Sequence, residues 1–415
     1  MRELSRREGQ SGADLQLTID SKLQNYVQAR LGTESAAVVI IDCENGDLIA
    51  NASSPSYDPN LFIGGISSAD YDPMLESKHR PLVNKTVQGT YPPGSTYKMV
   101  VAMAALEEGI IGPDDTVYCP GHVDVGGRKF HCWKRAGHGS MDLENSLKQS
   151  CDVYYYDLAL KVGIEKISAI AKRFGLGIRH DLPLSSVASG LAPTKAWKRE
   201  TRGAEWVIGD TVNASIGQGF TLSSPLQLAV MTARIATNRM VTPRLIKSID
   251  GIEQPSGGGE PLGMNENNLR KIRKGMHVVV NDRRGTGYRS RIIAEGMRMA
   301  GKTGTSQVRS ITTAERARGV SRNEDLPWER RDHALFVAFA PSDKPRYAVS
   351  VLVEHGGGGS TAAAPIARDV LLQALYGGEP PLDAYPTGDR DRIAEQQKEL
   401  RDVQPQATIK GKDQA

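Results

Sequence analysis

Ser95 and Lys98 stand three residues apart in the run Tyr91-Pro92-Pro93-Gly94-Ser95-Thr96-Tyr97-Lys98. At a helix start, that spacing puts a hydroxyl and an amine on one face. A serine needs a base before it can act as a nucleophile. A lysine can be that base if burial or a second cation holds it neutral. The free N–H groups of a first helical turn also favour an oxyanion forming beside them. The plainer reading, an N-capping serine with an exposed lysine, is the commoner one for an isolated Ser-x-x-Lys. Two further groups change the weighing. Ser150-Cys151-Asp152 offers a hydroxyl between two helical stretches, where it can relay a proton to a leaving amine or simply cap a helix. Lys302-Thr303-Gly304-Thr305 lies in a strand-like run. There Gly304 would admit an extended peptide along a strand edge, and Lys302, Thr303 and Thr305 suit a carboxylate. The plainer reading is a glycine bulge on an edge strand.

A second chemistry is available to Cys119, Cys132, His138 and Cys151. Three thiols and one imidazole are a complete tetrahedral zinc set. Their spacing, with 12, 5 and 12 residues between successive members, matches no short zinc-finger pattern. The alternative is one disulfide in an exported protein, which leaves an odd cysteine over. His122 and His131 are nearby substitutes. Cys43, in an apolar run, reads as a small buried hydrophobe.

Several elements must hold these residues. Residues 17–20 read as a short strand ending in Asp20, which caps a helix over 21–31. Residues 36–42 are a β-branched strand, Asn45-Gly46 a hairpin turn, and 47–52 the returning strand. Helices are expected over 95–108, 143–149, 152–162, 165–174, 223–236 and 265–280, and a closing helix over 363–375. Strands are expected over 297–305, 333–340 and 347–355, with a mobile loop at 307–331. Strands at both ends and helices between predict an α+β architecture: an antiparallel sheet flanked by helices, beside a mainly helical lobe, with a cleft between them. Residues 1–14 read as a linker, 15–378 as the folded domain, and 379–415 as a polar, disordered tail in which 390–403 can form a solvated helix.

The chain has 415 residues, 39% hydrophobic and 24% charged, with a net charge of +4. That suits a globular enzyme and argues against a nucleic-acid partner. The longest apolar run, residues 99–106, is far short of the roughly 20 residues a membrane helix needs. No signal peptide opens the sequence, so it reads as a soluble piece that can come from an anchored parent.

The three catalytic motifs, in this order, are the set found in penicillin-binding proteins and class A β-lactamases. With Leu15-Gln16-Leu17-Thr18-Ile19-Asp20, Tyr154-Tyr155-Tyr156, Ile216-Gly217-Gln218-Gly219, Ser224-Pro225-Leu226-Gln227-Leu228-Ala229 and Gly301 ahead of Lys302, the sequence resembles the transpeptidase domain of class B penicillin-binding proteins. It is nearest the penicillin-binding protein 2 group of rod-shaped bacteria. The resemblance implies the penicillin-binding/β-lactamase-like fold. Ser95 would attack the D-Ala-D-Ala carbonyl of a peptidoglycan stem peptide, and Lys98 would take its proton. Ser150 and Lys302 would pass a proton to the departing D-alanine. The N–H groups of Ser95 and Thr305 would form the oxyanion hole, and Thr303 and Thr305 would hold the terminal carboxylate. A neighbouring stem's amine would then form a crosslink, and β-lactams would acylate the same serine. Many relatives carry Asn where Asp152 stands. An ionised Asp only accepts hydrogen bonds, so Asp152 does not inherit the amide's donor role.

Some members of the group have a zinc site whose last two ligands match His138 and Cys151. The other two, commonly Asp there, correspond to Cys132 and Cys119. The resemblance thus implies a structural zinc and no organic cofactor. It also implies an anchored parent at the periplasmic face of the inner membrane, with a SEDS-family glycosyltransferase and elongation-complex proteins as partners. The family's N-terminal membrane helix and pedestal region do not appear in this sequence. Rival readings are a D,D-carboxypeptidase using the same residues and a β-lactam-sensing domain. A β-lactamase is disfavoured by the length and by the lack of a placeable deacylating Glu.

Overall fold

The structure, a computed structural model, describes residues 9, 11–112 and 114–403. Its centre is a five-stranded antiparallel sheet. The strand order is Ala300–Ser306, His333–Ala340, Tyr347–Val353, Ala36–Asp42 and Leu48–Ser54. The middle strands read FVAFA, AVSVLV and AAVVII, and nearly every residue in them is buried. A strand buried on both faces must be covered on both. Ser21–Leu31 and Ala364–Tyr376 pack together on the sheet, and Pro225–Thr237 and Glu266–Asn281 form a second packed pair against it. Ala300–Ser306 stays at the sheet's edge, and among the described residues no strand pairs with its outer side.

Local signals set the helix starts. Asp20 accepts from the N–H groups of Lys22 and Leu23 at 2.9 and 3.0 Å. Ser224 and Gln227 form a reciprocal capping box ahead of Pro225, which takes the first helical turn. Lys98–Glu107, Leu143–Lys148, Asp152–Val162, Ile164–Arg173 and Ile208–Ser215 make up the helical lobe. Lys98–Glu107 is apolar all round, and Met99 to Ala105 are fully buried.

Two expectations change, and one segment for which no element was expected is folded. Residues 307–331 are not a bare loop. They contain the helix Thr313–Arg318 and two 3-10 turns, and the Trp328 ring lies 4.5 Å from His79 and 4.4 Å from His355. Trp328 is the large aromatic anchor of this segment, and Arg135 Nη2, which donates to the Arg316 carbonyl at 2.7 Å, adds a polar tie. Residues 379–403 are folded too. Arg390–Val403 is a helix with Ile393 fully buried and Leu400 8% exposed, and Gln397 Nε2 donates to the Pro380 carbonyl at 2.8 Å. Low apolar density hid these few anchors; residues 404–415 lie outside the described residues, as do 1–8 and 10 of the expected linker. Finally, 117–141 folds into two small antiparallel pairs, Val117–Cys119 with Gly139–Met141 and His122–Val125 with Arg128–His131. Both are short and polar, so strand periodicity could not reveal them.

Candidate active site

Gly94–Tyr97 is a 3-10 turn that runs into the helix Lys98–Glu107, so the α-helix begins at the lysine and not at the serine. The tighter turn places residues three apart directly above one another, which aligns Ser95 with Lys98. Gly94 has a φ of 56° and packs where a Cβ would collide with the Thr305 carbonyl oxygen. Only glycine meets both demands. Gly94 N–H donates to the Gly217 carbonyl at 3.0 Å, so the Ile216-Gly217-Gln218-Gly219 segment braces the turn.

Lys98 is fully buried, and its Nζ donates to Asp152 Oδ1 at 2.7 Å, to the Ser150 carbonyl at 2.8 Å and to Ser150 Oγ at 3.2 Å. Lys302 is also fully buried; its Nζ lies 2.8 Å from Ser150 Oγ and 3.0 Å from the Thr303 carbonyl. One hydroxyl therefore bridges two buried amines. Two cations side by side in an apolar surround are unfavourable, and one answer is to keep one neutral. Burial, and then the charge of Lys98, holds Lys302 well below its ordinary amine value. Burial pushes the Asp152 carboxyl up, and Lys98 opposes it. Ser150 has a φ of 55°, a costly conformation for a non-glycine residue. Its carbonyl is held there by Lys98 Nζ at 2.8 Å and Trp133 Nε1 at 3.1 Å.

Thr303 Oγ1 lies 2.8 Å from Thr286 Oγ1, and Gln218 Nε2 donates to the Thr305 carbonyl at 3.2 Å. Gly304 gives room on a different side from the one the sequence suggested. A Cβ there would crowd Thr96 and the Pro93 carbonyl, so this glycine lets the nucleophile turn pack on the strand. A cleft of about 540 Å³ opens along the edge strand. Ser95, Ser150, Asp152, Thr303, Gly304 and Thr305 all line it. A half-buried hydroxyl at a helix start, beside a two-amine relay and an open strand edge, is equipped for acyl transfer to an extended peptide.

Cys119, Cys132, His138 and Cys151 come together as well, with one donor atom from each and all four within 4.8 Å of one another. Cys132 Sγ and Cys119 Sγ lie 3.5 and 3.7 Å from His138 Nδ1. The edges of a zinc tetrahedron with Zn–S near 2.3 Å and Zn–N near 2.0 Å are about 3.5 to 3.8 Å, so the donor set fits zinc. All four cysteines of the chain are free thiols, which goes against the disulfide alternative. Cys132 is pulled toward the thiolate by the hydrogen bond from Cys151, while Cys151 is pushed up by the same contact. His122 and His131 stay outside the cluster, and Cys43 is fully buried in the core.

Sequence reasoning missed Trp133 and Thr286, and it named Gln218 only as part of the Ile216–Gly219 run, with no role. The Trp133 backbone N–H donates to Asp152 Oδ2 at 2.8 Å, a role no side-chain motif can signal. Thr286 had a faint signal in its glycine neighbours, Gly285 and Gly287.

The family profile described as the penicillin binding protein transpeptidase domain matches residues 36–372. This chain belongs to that family. Ser95, Ser150 and Lys302 all fall inside the matched transpeptidase region. Among curated relatives, the chain is 38% identical to the peptidoglycan D,D-transpeptidase MrdA of Haemophilus influenzae, over 93% of this chain and 60% of that protein. Among solved structures, it is 38% identical to Pseudomonas aeruginosa PBP2 in complex with WCK 5153, covering 91% of this chain and 79% of that one with a TM-score of 0.78. It is also 34% identical to Helicobacter pylori PBP2 in complex with MreC, covering 88% and 64%, again with a TM-score of 0.78. These neighbours share the α+β penicillin-binding fold and place the chain with the penicillin-binding protein 2 type. The chain spans 60% and 54% of the length of the first two curated relatives.

Proposed function

We propose that this chain is the catalytic domain of a peptidoglycan D,D-transpeptidase that crosslinks stem peptides through a serine acyl-enzyme during cell elongation. The observation that carries this is the hydrogen-bonded chain Lys98–Ser150–Lys302 beside Ser95, opening on an unpaired strand edge. Ser95 Oγ bonds to the penultimate D-Ala carbonyl carbon while its proton passes to Lys98, which first hands a proton through Ser150 Oγ to Lys302, the amine that burial and the Lys98 charge keep neutral. The bond from that carbon to the terminal D-alanine nitrogen breaks, and Ser150, fed by the two amines, returns a proton to the leaving nitrogen. Thr303 and Thr305 hold the substrate carboxylate, with Gly304 between them on the strand. The N–H groups of Ser95 and Thr305 meet the oxyanion, and losing one such donor costs about 10²- to 10³-fold. Asp152 acts as an acceptor, fixing Lys98. β-Lactams present the same carbonyl and acylate the same serine.

Cys119, Cys132, His138 and Cys151 would hold a structural zinc. Four protein ligands leave no open position, so the metal would supply a crosslink and no chemistry. Because Cys151 lies between Ser150 and Asp152, that crosslink would steady the relay. The similarity to longer relatives supports an anchored parent whose catalytic domain faces the periplasm. The Helicobacter PBP2–MreC complex supports elongation-complex proteins as partners; a SEDS-family glycosyltransferase as a partner rests on the family resemblance alone.

Incubation with a peptide ending in D-Ala-D-Ala and an acceptor amine tests the reading. The expected result is released D-alanine with a matching new amide, both lost in Ser95→Ala. Release without the amide would mean a carboxypeptidase; neither product, with stable β-lactam acylation, would mean a sensing domain.

A further inference from the structure

A cavity of about 430 Å³ shares one turn, Gly359–Ala363, with the catalytic cleft. Gly358, Gly359 and Ser360 line the cleft, whereas Ser360, Thr361 and Ala362 line this cavity. The turn is π-helical, a form that recurs at functional sites. Gly359 packs where a Cβ would collide with the Leu335 and Gly304 carbonyl oxygens, so the turn leans on the catalytic strand. Four arginines enter the cavity from four elements. Arg30 comes from Ser21–Leu31, Arg289 from the turn Tyr288–Ser290, Arg368 from Ala364–Tyr376 and Arg392 from Arg390–Val403. Three of them share two carboxylates. Asp369 takes Arg30 at 2.8 Å and Arg368 at 2.9 Å, and Asp389 takes Arg368 at 3.2 Å and Arg392 at 3.8 Å. Among the described residues, Arg289 has no carboxylate within ion-pair distance. Glu34, which is exposed, is the one further acid in the lining. Even with it counted, the guanidinium groups outnumber the carboxylates, and a concave surface with excess positive charge focuses anions. Donors are left over as well. Arg368 is 1% exposed, and its Nη2, though near Asp369, makes no aligned hydrogen bond. Ser290 lines the cavity and is 2% exposed, and its Oγ has no hydrogen-bond partner among the described residues. A buried donor without an acceptor carries a desolvation cost that a bound anion would relieve. Pro365 and Ile366, at the start of Ala364–Tyr376, also line the cavity, and no side chain caps that helix, so the positive end of its dipole adds to the field.

We infer that this cavity binds a phosphate group, and that its occupancy reaches the catalytic cleft through the turn at Ser360. The site goes beyond the transpeptidase reading, and its binding does not depend on it. A guanidinium fork pairs with two oxygens at once, and a phosphate has enough oxygens to meet several forks together. The bound group would tie Arg289 and Arg392, which belong to separate elements, to the turn that walls the cleft. That tie would steady the wall on which Gly359 rests against Gly304.

The test titrates the full, metal-replete chain with inorganic phosphate and follows the phosphorus NMR line width. Sodium chloride holds the ionic strength constant, so general charge attraction does not change along the titration. The wild type is expected to show saturable broadening. The double variant Arg289→Ala/Arg392→Ala is expected to bind about tenfold more weakly. Both side chains are exposed, and an unchanged unfolding temperature in chloride alone checks that the variant keeps its fold. Saturating phosphate is expected to change the rate of acylation by penicillin by about twofold in the wild type and to leave the variant's rate unchanged. Vesicles of neutral lipid doped with phosphatidic acid form a second arm, because the same group can arrive on a lipid. Saturable binding of free phosphate, or sedimentation with these vesicles in preference to it, supports the site if the double variant loses it, and tells the two sources apart. Broadening that does not saturate, or equal affinity in wild type and variant, would overturn the site. A saturated site with unchanged acylation would overturn its link to the cleft.

Discussion

Two polar clusters meet on the three residues Ser150-Cys151-Asp152, and they are held together differently. On one side, Lys98, Lys302, Ser150 and Asp152 satisfy one another: each buried amine has at least two oxygen partners within 3.2 Å. On the other, Cys119, Cys132, His138 and Cys151 crowd their donor atoms within 4.8 Å, and the buried His138 Nε2 finds no partner among the described residues. Thiols are weak hydrogen-bonding groups, so three of them gain little from each other or from the one imidazole. The first cluster is a product of the fold. The second is a donor set whose spacing fits a metal ion better than it fits mutual hydrogen bonding.

The largest break in this comparison is Lys98→Ala. It removes the base and leaves Asp152 buried without its cation. Acylation by a fluorescent penicillin should slow by about 10²- to 10⁴-fold, and stability should fall by about 3–5 kcal/mol, read by denaturant unfolding. An acylation rate within threefold of wild type would mean that Lys98 is not the base.

Next in size is the thiol cluster. Purified chain should carry one zinc by elemental analysis. Cys119→Ala should carry less than about a tenth of that and unfold at lower temperature, because metal binding is coupled to the folded state. Acylation should fall less than in Lys98→Ala, since the metal only steadies the loop. Full metal retention in Cys119→Ala would remove this residue from the site.

A pH series sharpens the first cluster. The native amine of Lys302 loses its proton well below 10.5, because burial and Lys98 favour the neutral form. The unfolded chain binds that proton more readily between the native value and 10.5. In that window, rising pH therefore stabilises the fold. Lys302→Met should lose this component and show a flatter pH dependence of unfolding free energy. An unchanged slope would mean that Lys302 is buried charged.

The smallest effect is expected at Thr286→Val, which removes the hydroxyl partner of Thr303. One hydrogen bond is worth about 1 kcal/mol, so kcat/KM should fall about fivefold, mostly through KM. A change confined to kcat would give Thr286 a different role.

The legible parts of this site are those where the chemistry resides in side chains. Ser95, Lys98, Ser150 and Lys302 were picked out by the resemblance of their motif set to a known family, and the fold brings them to one place; the four metal-ligand candidates were picked out by residue type and the same resemblance, and they too lie together. The supporting parts are less visible, for physical reasons. The Trp133 contact to Asp152 is a backbone N–H, and its placement depends on hairpins too short for periodicity to reveal. Gly304 read as a site for close approach, and it is one, but the neighbour is the nucleophile turn. The sheet was legible because fully buried strands are long β-branched runs. The folded segment at 307–331 was not, and the helix at 390–403 was read as solvated, because their apolar anchors, Trp328, Ile393 and Leu400, are few and are joined by polar contacts that no pattern signals.

The central claim is that Ser95, activated by the buried amines, forms an acyl-enzyme. Intact-mass measurement after incubation with benzylpenicillin tests it most directly, with Ser95→Ala alongside. The account predicts one covalent penicillin on the wild type and none on the variant. An unmodified wild type that is folded and metal-replete, or an adduct that persists in Ser95→Ala, would contradict it.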